Sequence, residues 1–507
     1  MLLQKDHLLS RLSRAVTLDN GYLTDHLVSD LAMLRQLGAR FIGRAAHVWV
    51  LPENDDQRFA QAAEFAQAVH SEVDSDVVLQ CAIFEAIFPN VNDIPIPAWV
   101  FETLGEKVEQ RNFRFDDMHS DLRMAPEMAA VWLDDGEVPD LTLAEAQRWY
   151  VYRAGRYFDA GYEAIHLGQI HLVAARDKAF TATTSLINTL RLLAKQRARR
   201  GEVIIDAHSH GIVRHGQLLL DFVSRPLSGK ARLLDDAQED LVLQWKQGLA
   251  SGWHSGGWYA DAVPNLVEID NWGGCSWPKD MWHDTQGRAA QGRWGWDDIS
   301  WFARQSPEIR ANFLQYVYRM CRLAHPNNFF QFPACRTLGN APMLERGKTA
   351  THYRANTADE QCHCGWDDAA VMANLWQQED PADWQLQASA EEGVVEIPMP
   401  VVLLGDIQAE LGGVISDTLC PFSRLKPLGN SIAGITMVLP QPGKWHFVVA
   451  AGGTRMEPLG EGMSPGGKLW CIETTEKAQP VSMHYDYANR TFSAVDPRTQ
   501  NSLLFDS

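Results

Sequence analysis

The feature that most narrows what this chain can fold into is an alternation: apolar, β-favouring runs and long amphipathic helices follow one another through its first three quarters. Ala39–Trp49 reads as a continuous buried strand. Asp56–Val73 then reads as a helix with Phe59, Ala62, Phe65 and Val69 on one face, and Val77–Phe84 as the next strand. The unit recurs. A helix around Ala144–Phe158 leads into Glu163–Ile170, and a helix over Ser185–Arg200, ending in basic residues before Gly201, leads into Glu202–His208. Leu218–Val223 and Asn265–Asn271 are the fifth and sixth strands in this count. A helix over Ile299–Leu323 precedes a seventh at Phe329–Pro333, and a weaker eighth lies at His352–Arg354. The residues up to about Gly38 read as helix, with Leu27, Leu31 and Leu34 at helical spacing. Strands that alternate with helices form parallel sheets, and about eight such units close into a (β/α)8 TIM-type barrel, here over residues 1–385.

Beyond about Asp383 the pattern changes. Short runs such as Ile432–Leu439, Trp445–Ala450 and Val481–Tyr487 are separated by turns such as Pro440-Gln441-Pro442-Gly443, which predicts a smaller β-rich, sandwich-like domain over 386–507. Val401–Asp406 fits either side of that boundary.

Composition restricts the partners. The net charge of −19 opposes wrapping of nucleic acid, and no apolar run approaches the ~18 residues of a membrane span. The start of the chain turns charged at Lys5-Asp6 before any leader-like apolar stretch, and the eight cysteines are widely scattered. The expectation is a cytoplasmic protein with reduced thiols, no cofactor and no assigned oligomeric state. No glycine-rich phosphate loop follows a strand, and no Gly-x-Ser-x-Gly elbow occurs.

Parallel barrels bind ligands at the C-terminal ends of their strands, and a period of two selects the side chains that face inward. In the fourth counted strand Ile204, Asp206 and His208 share a face, and in the sixth Leu266, Glu268 and Asp270 do. Glu85 ends the second, while Gln169 and His171 follow the third. Paired carboxylates suit glycoside hydrolysis, one as acid towards the leaving oxygen and one as nucleophile or base. Asp270 is the expected nucleophile or base and Asp206 the acid, with Glu268 and Glu85 as replacements; His208 and Gln169 would bind substrate. Of 18 tryptophans, eight fall at Trp253, Trp258, Trp272, Trp277, Trp282, Trp294, Trp296 and Trp301. Flat indoles can stack on sugar rings, so Trp272, Trp277 and Trp296 with its neighbour Asp297 are read as a binding rim; tying loops to the barrel is the structural alternative. Gly295-Trp296-Asp297-Asp298 recurs as Gly365-Trp366-Asp367-Asp368, which also reads as a helix-start signal.

A barrel with acidic strand ends, aromatic loops and an appended β domain resembles the barrel-type glycoside hydrolases in outline, which implies a small-molecule or oligosaccharide substrate. In their largest grouping the catalytic glutamates end the fourth and seventh strands; in this count those strands end Asp206-Ala207-His208 and Gln331-Phe332-Pro333, which departs from the pattern. A second resemblance, of Asp206-Ala207-His208-Ser209-His210 to the His-x-His pair of amidohydrolase-type barrels, implies a metal-dependent enzyme using His208 and His210. That pair ends the first strand in its family, and three counted strands precede it here. A non-catalytic carbohydrate-binding or structural protein is the third reading. Cys362-His363-Cys364 lacks a second paired-cysteine half and is not read as a metal site.

Overall fold

The computed structural model describes residues 3–49, 54–120, 136–233, 239–244, 249–271, 298–303, 307–338, 343–345, 348–377, 393–395, 401–411, 423–429, 432–451, 468–486, 489 and 491–504. Eight strands come in chain order: β1 Ala15–Leu18, β2 Phe41–His47, β3 Val78–Ala82, β4 Ala164–His166, β5 Ile204–Asp206, β6 Val223–Pro226, β7 Asn265–Glu268 and β8 Asn328–Thr337. Each of β1 to β4 pairs in parallel with its successor, as do β6 with β7 and β7 with β8. A parallel bridge between His208 and Ser224 joins β5 to β6, and β8 pairs in parallel with β1, so the ring closes as a (β/α)8 barrel.

The strand count therefore moves by one. β1 lies inside the segment read as helix: Ala15-Val16-Thr17-Leu18 is four buried residues set between two helices. His352–Arg354 is not a stave. This strand, β9, pairs antiparallel with the outer end of β8, Cys335 facing Arg354. The strands counted first to seventh correspond to β2 to β8, although the fifth, read over Leu218–Val223, meets β6 only at Val223.

Helices α1 Lys5–Leu12, α2 Leu27–Leu37, α3 Asp55–Glu72, α4 Ala144–Asp159, α5 Thr181–Arg197, α6 Pro307–Ala324 and α7 Ala369–Gln377 bracket or follow the strands. In α3 the buried Phe59, Ala62, Phe65, Ala66 and Val69 recur at three- and four-residue spacing, and Asn54 starts the helix by accepting from Gln57 N at 3.0 Å. Val16, Ile42, Leu79, Ile165, Ile205 and Val267 point outward into the core shared with the helices.

Inside the barrel the residues are layered. Ala15, Phe41, Val78, Ala164, Ile204, Phe222, Leu266 and Phe329 form an apolar foot, which Leu8 and Leu12 of α1 stop from below. Two residues further along the strands the lining turns polar: Gln80, His166, Asp206, Ser224, Glu268 and Gln331 are all buried. Gly43 is the small member of this layer, since a Cβ there would lie 2.0 Å from Gln331 Nε2 and 3.1 Å from Gln80 Oε1.

The C-terminal strands are β10 Val401–Gly405, β11 Arg424–Gly429, β12 Ile432–Leu439, β13 Gly443–Ala451, β14 Trp470–Thr474, β15 Gln479–Asp486 and β16 Thr491–Val495. They pair antiparallel in the order β14-β13-β10-β11-β12-β15-β16. Among the described residues only Val401 and Val402 of β10 pair with β11, so two leaves hinge there; Val401, Leu403, Phe447 and Val449 meet Met437, Val481, Met483 and Phe492 in one core. Val401–Gly405, ambiguous in sequence, belongs to this sheet. The boundary near 385 lies outside the described residues. Among the described residues no helix is long and apolar enough to cross a membrane.

Candidate active site

A cavity of about 600 Å³ opens at the C-terminal ends of the strands, and all eight strand ends contribute to its lining. Asp19 and Asn20 follow β1; Arg44, His47 and Trp49 come from the end of β2, and Phe84 and Glu85 follow β3. Gly168, Gln169 and His171 follow β4, and His208 follows β5. Pro226 ends β6, Asp270 and Asn271 follow β7, and Arg336 and Thr337 end β8.

Two arginines organise the floor. Arg44 sits where the β2–β3 register shifts, with a left-handed φ of 54°. That bulge turns its side chain across the barrel, where Nη2 donates to Glu268 Oε1 at 2.6 Å. His208 Nε2 donates to the same oxygen at 2.9 Å. Burial alone would raise the Glu268 carboxyl, but Arg44, His208 and Arg336 together hold it well below the usual range. Arg336, 1% exposed, donates to both oxygens of Asp19 at 2.8 Å, binds Asp270 Oδ1 and reaches Ile269 O at 3.3 Å. Burial opposes ionisation of Asp19 too, and again the cations win, Arg336 first, so its carboxyl is depressed. Burial pushes His47 down to about 4 against the pull of Asp19, which leaves a neutral imidazole at the rim.

Glu85 differs from these. Its oxygens accept from Gln169 N and Gln169 Nε2, both at 3.0 Å, and among the described residues it has no cation partner. Gly168, with φ 58°, makes room for it: a Cβ there would lie 1.9 Å from Glu85 Oε2.

The expected residues thus separate. Glu85, Gln169, His208 and Asp270 meet at one cavity. Asp206 does not reach it. It is wholly buried one layer below, accepting from Gln80 Nε2 at 2.6 Å, His166 Nδ1 at 2.8 Å and Ser224 Oγ at 2.5 Å. Glu268 is also beneath the lining, taken up by Arg44 and His208. Trp272, Trp277, Trp296 and Asp297 lie outside the described residues. Trp258 belongs to the opposite end of the barrel, where it packs on the foot cluster and donates to Leu3 O at 3.1 Å. In the second Gly-Trp-Asp-Asp copy Trp366 is core, and Asp368 accepts from Arg310 Nε and Tyr353 OH, both at 2.7 Å.

Strand periodicity does not single out Asp19, Arg44, Trp49, Phe84 or Arg336 as site residues. Trp49 and Phe84 pack together in the cavity lining, their rings tilted by 34° with centroids 4.6 Å apart. Nor do His208 and His210 converge on one ion: His208 faces Glu268, whereas His210 is exposed and its Nε2 lies 3.4 Å from Arg225.

No protein-family model and no curated protein matches the sequence. Among solved structures, an α-amylase I from Eisenia fetida aligns over 94% of this chain and 95% of its own at 10% identity, with a TM-score of 0.37. A GH27 β-L-arabinopyranosidase from Geobacillus stearothermophilus aligns over 87% of each chain at 10% identity and 0.35. A pullulanase from Bacillus acidopullulyticus is matched over 22% of this chain at 19% identity and 0.17, and the chain spans 13% of its length. These neighbours are glycoside hydrolases by name. At that level of likeness the barrel rests on its own strand pairing. With the count corrected, the fourth strand ends His166-Leu167-Gly168-Gln169 and the seventh Glu268-Ile269-Asp270. The seventh now carries carboxylates, and the fourth still does not match the glycosidase pattern.

Proposed function

We propose that the protein hydrolyses glycosidic bonds, with Glu85 as general acid and Asp270 as nucleophile or base. The observation that carries this is the pairing of two carboxyl groups in different surroundings over one cavity. Glu85 accepts only from the amide groups of Gln169, whereas Asp270 is fixed by the guanidinium of Arg336 and by Asn271 N at 2.8 Å. In this reading Glu85 gives its proton to the departing glycosidic oxygen. Asp270 either attacks the anomeric carbon or takes a proton from the attacking water, and the bond to the leaving oxygen breaks. Trp49 and Phe84 offer an apolar wall for a ring, while His208, Gln169 and Asn20 surround it with polar groups.

The test is turnover of a panel of nitrophenyl glycosides and natural oligosaccharides by the full chain and by Glu85→Gln and Asp270→Asn. The expected loss is about 10²- to 10⁴-fold in kcat for each variant with the fold intact. Turnover unchanged in either variant removes that residue from the mechanism. Sugar binding without turnover across the whole panel would replace hydrolysis by binding.

A further inference from the structure

A second cluster lies apart from the cavity, where the loop after β1 meets the loop before α7. His26 stands just ahead of α2, and Cys362 and Cys364 lie between β9 and α7. Cys362 Sγ is 3.9 Å from Cys364 Sγ, and Cys364 Sγ is 3.7 Å from His26 Nε2. The three potential ligand atoms all lie within 4.8 Å of one another. A tetrahedral zinc ion with bonds of about 2.3 Å to sulfur and 2.0 Å to nitrogen needs ligand separations of about 3.8 Å and 3.5 Å. The two closest separations here match those edges.

The surroundings are arranged for ligation. His26 Nδ1 lies 2.9 Å from Gln361 O, so that nitrogen carries the proton and Nε2 presents its lone pair to the sulfurs. Asp359 Oδ1 accepts from the backbone N of Gln361 at 2.8 Å and of Cys362 at 2.9 Å, and Gly365 N donates to Cys362 O at 3.2 Å. The Cys-x-Cys turn is thereby held in shape. Next to it, Arg354 pairs with Asp30 at 3.1 Å, and Asn356 Nδ2 bonds Ser29 Oγ and Asp30 Oδ1 at 2.9 Å. Two thiolates and a neutral imidazole balance a divalent ion, and sulfur-rich tetrahedral sets select zinc over calcium or magnesium. None of the three residues lines the cavity.

We propose that Cys362 Sγ, Cys364 Sγ and His26 Nε2 bind one zinc ion, with solvent as its fourth ligand, and that this ion clasps the loop after the first barrel strand to the loop between β9 and α7. His26 is the partner that sequence spacing could not supply, since it lies more than three hundred positions from the cysteines.

The experiment is elemental analysis of the purified full chain after dialysis into metal-free buffer, beside Cys364→Ser, His26→Ala and, as control, Cys321→Ser. Stoichiometric zinc is expected in the parent and the control, and a loss of most of it in the two ligand variants. Because a variant can lose metal by misfolding, cobalt(II) is loaded into the chelator-stripped parent and into Cys364→Ser. A thiolate charge-transfer absorption should appear in the parent and weaken in the variant, with matching far-ultraviolet circular dichroism. Chelation should also lower Tm in the parent and leave it unmoved in Cys364→Ser. Three results would overturn the proposal: no retained zinc, equal zinc in parent and ligand variants, or a Cys362–Cys364 disulfide in the protein as isolated. The outcome is independent of whether the cavity cleaves sugars.

Discussion

Replacing Arg336 by methionine tests the floor of the cavity most directly. Methionine keeps much of the volume and removes the charge, so Asp19, bound through both oxygens at 2.8 Å, and Asp270 lose their shared cation; Glu268 Oε2, 3.8 Å away, loses a second. Breaking a buried pair from one side costs about 3–5 kcal/mol, because the partner remains desolvated without compensation. The sign with pH follows from the folded-state carboxyl groups. In the parent, Asp19 and Glu268 are depressed, so their stabilisation is complete above the unfolded carboxylate range of about 4 and fades only at lower pH. Between about pH 7 and pH 5 these two carboxyl groups leave the parent unchanged. The loss caused by buried histidines such as His47 is common to parent and variant, so the difference between the two proteins is the quantity read. Without Arg336, burial, the largest influence on Asp19, lifts that carboxyl instead, while Arg44 and His208 still hold Glu268 down. The variant then carries a penalty that grows as pH rises towards the raised value, by about 1.4 kcal/mol per pH unit while Asp19 stays protonated only when folded. The assay is urea denaturation followed by tryptophan fluorescence at about pH 7 and about pH 5, with Arg336→Lys as a charge-preserving control that loses the planar fork. A loss below about 1 kcal/mol, the scale of an exposed pair, or a loss that does not shrink on acidification, would refute the reasoning.

Two further outcomes follow from the same geometry. Gly168→Ala puts a methyl 1.9 Å from Glu85 Oε2 at a left-handed φ of 58°, so kcat should fall about 10²-fold with circular dichroism unchanged; normal steady-state kinetics would remove Glu85 from the reaction. Asp206→Asn sets an amide against the donors of Gln80, His166 and Ser224, so it should cost about 3 kcal/mol in denaturant while kcat per folded molecule stays almost unchanged; a selective loss of kcat would return Asp206 to the mechanism.

The fold is legible where periods are long. The helix over Asp55–Glu72 announces itself through Phe59, Phe65 and Val69, and six of the eight staves coincide with apolar runs, Leu218–Val223 reaching only the first residue of β6. β1 is hidden because Ala15–Leu18 lies between two helices, inside a stretch whose leucines already fall at helical spacing. Counting strand ends leads to Glu85, Gln169, His208 and Asp270, but it also promotes Asp206 and Glu268. The period of two says which side chains face inward and nothing about depth, and in this barrel the layer just under the mouth is sealed by its own hydrogen bonds. The arginines escape for a different reason. A charge inside a buried run, such as Arg44 within Phe41-Ile42-Gly43-Arg44-Ala45-Ala46, demands an opposite charge across the core. That partner, Glu268, comes 224 positions later and only closure of the barrel brings the two together.

The stopper that Leu8 and Leu12 form at the foot of the strands has a consequence for traffic. Among the described residues that end is closed, so what enters at the strand ends leaves from the same side. Under the proposed hydrolysis, the fragment nearer the rim then clears before the inner one departs, past a lining that includes Trp49 and Phe84.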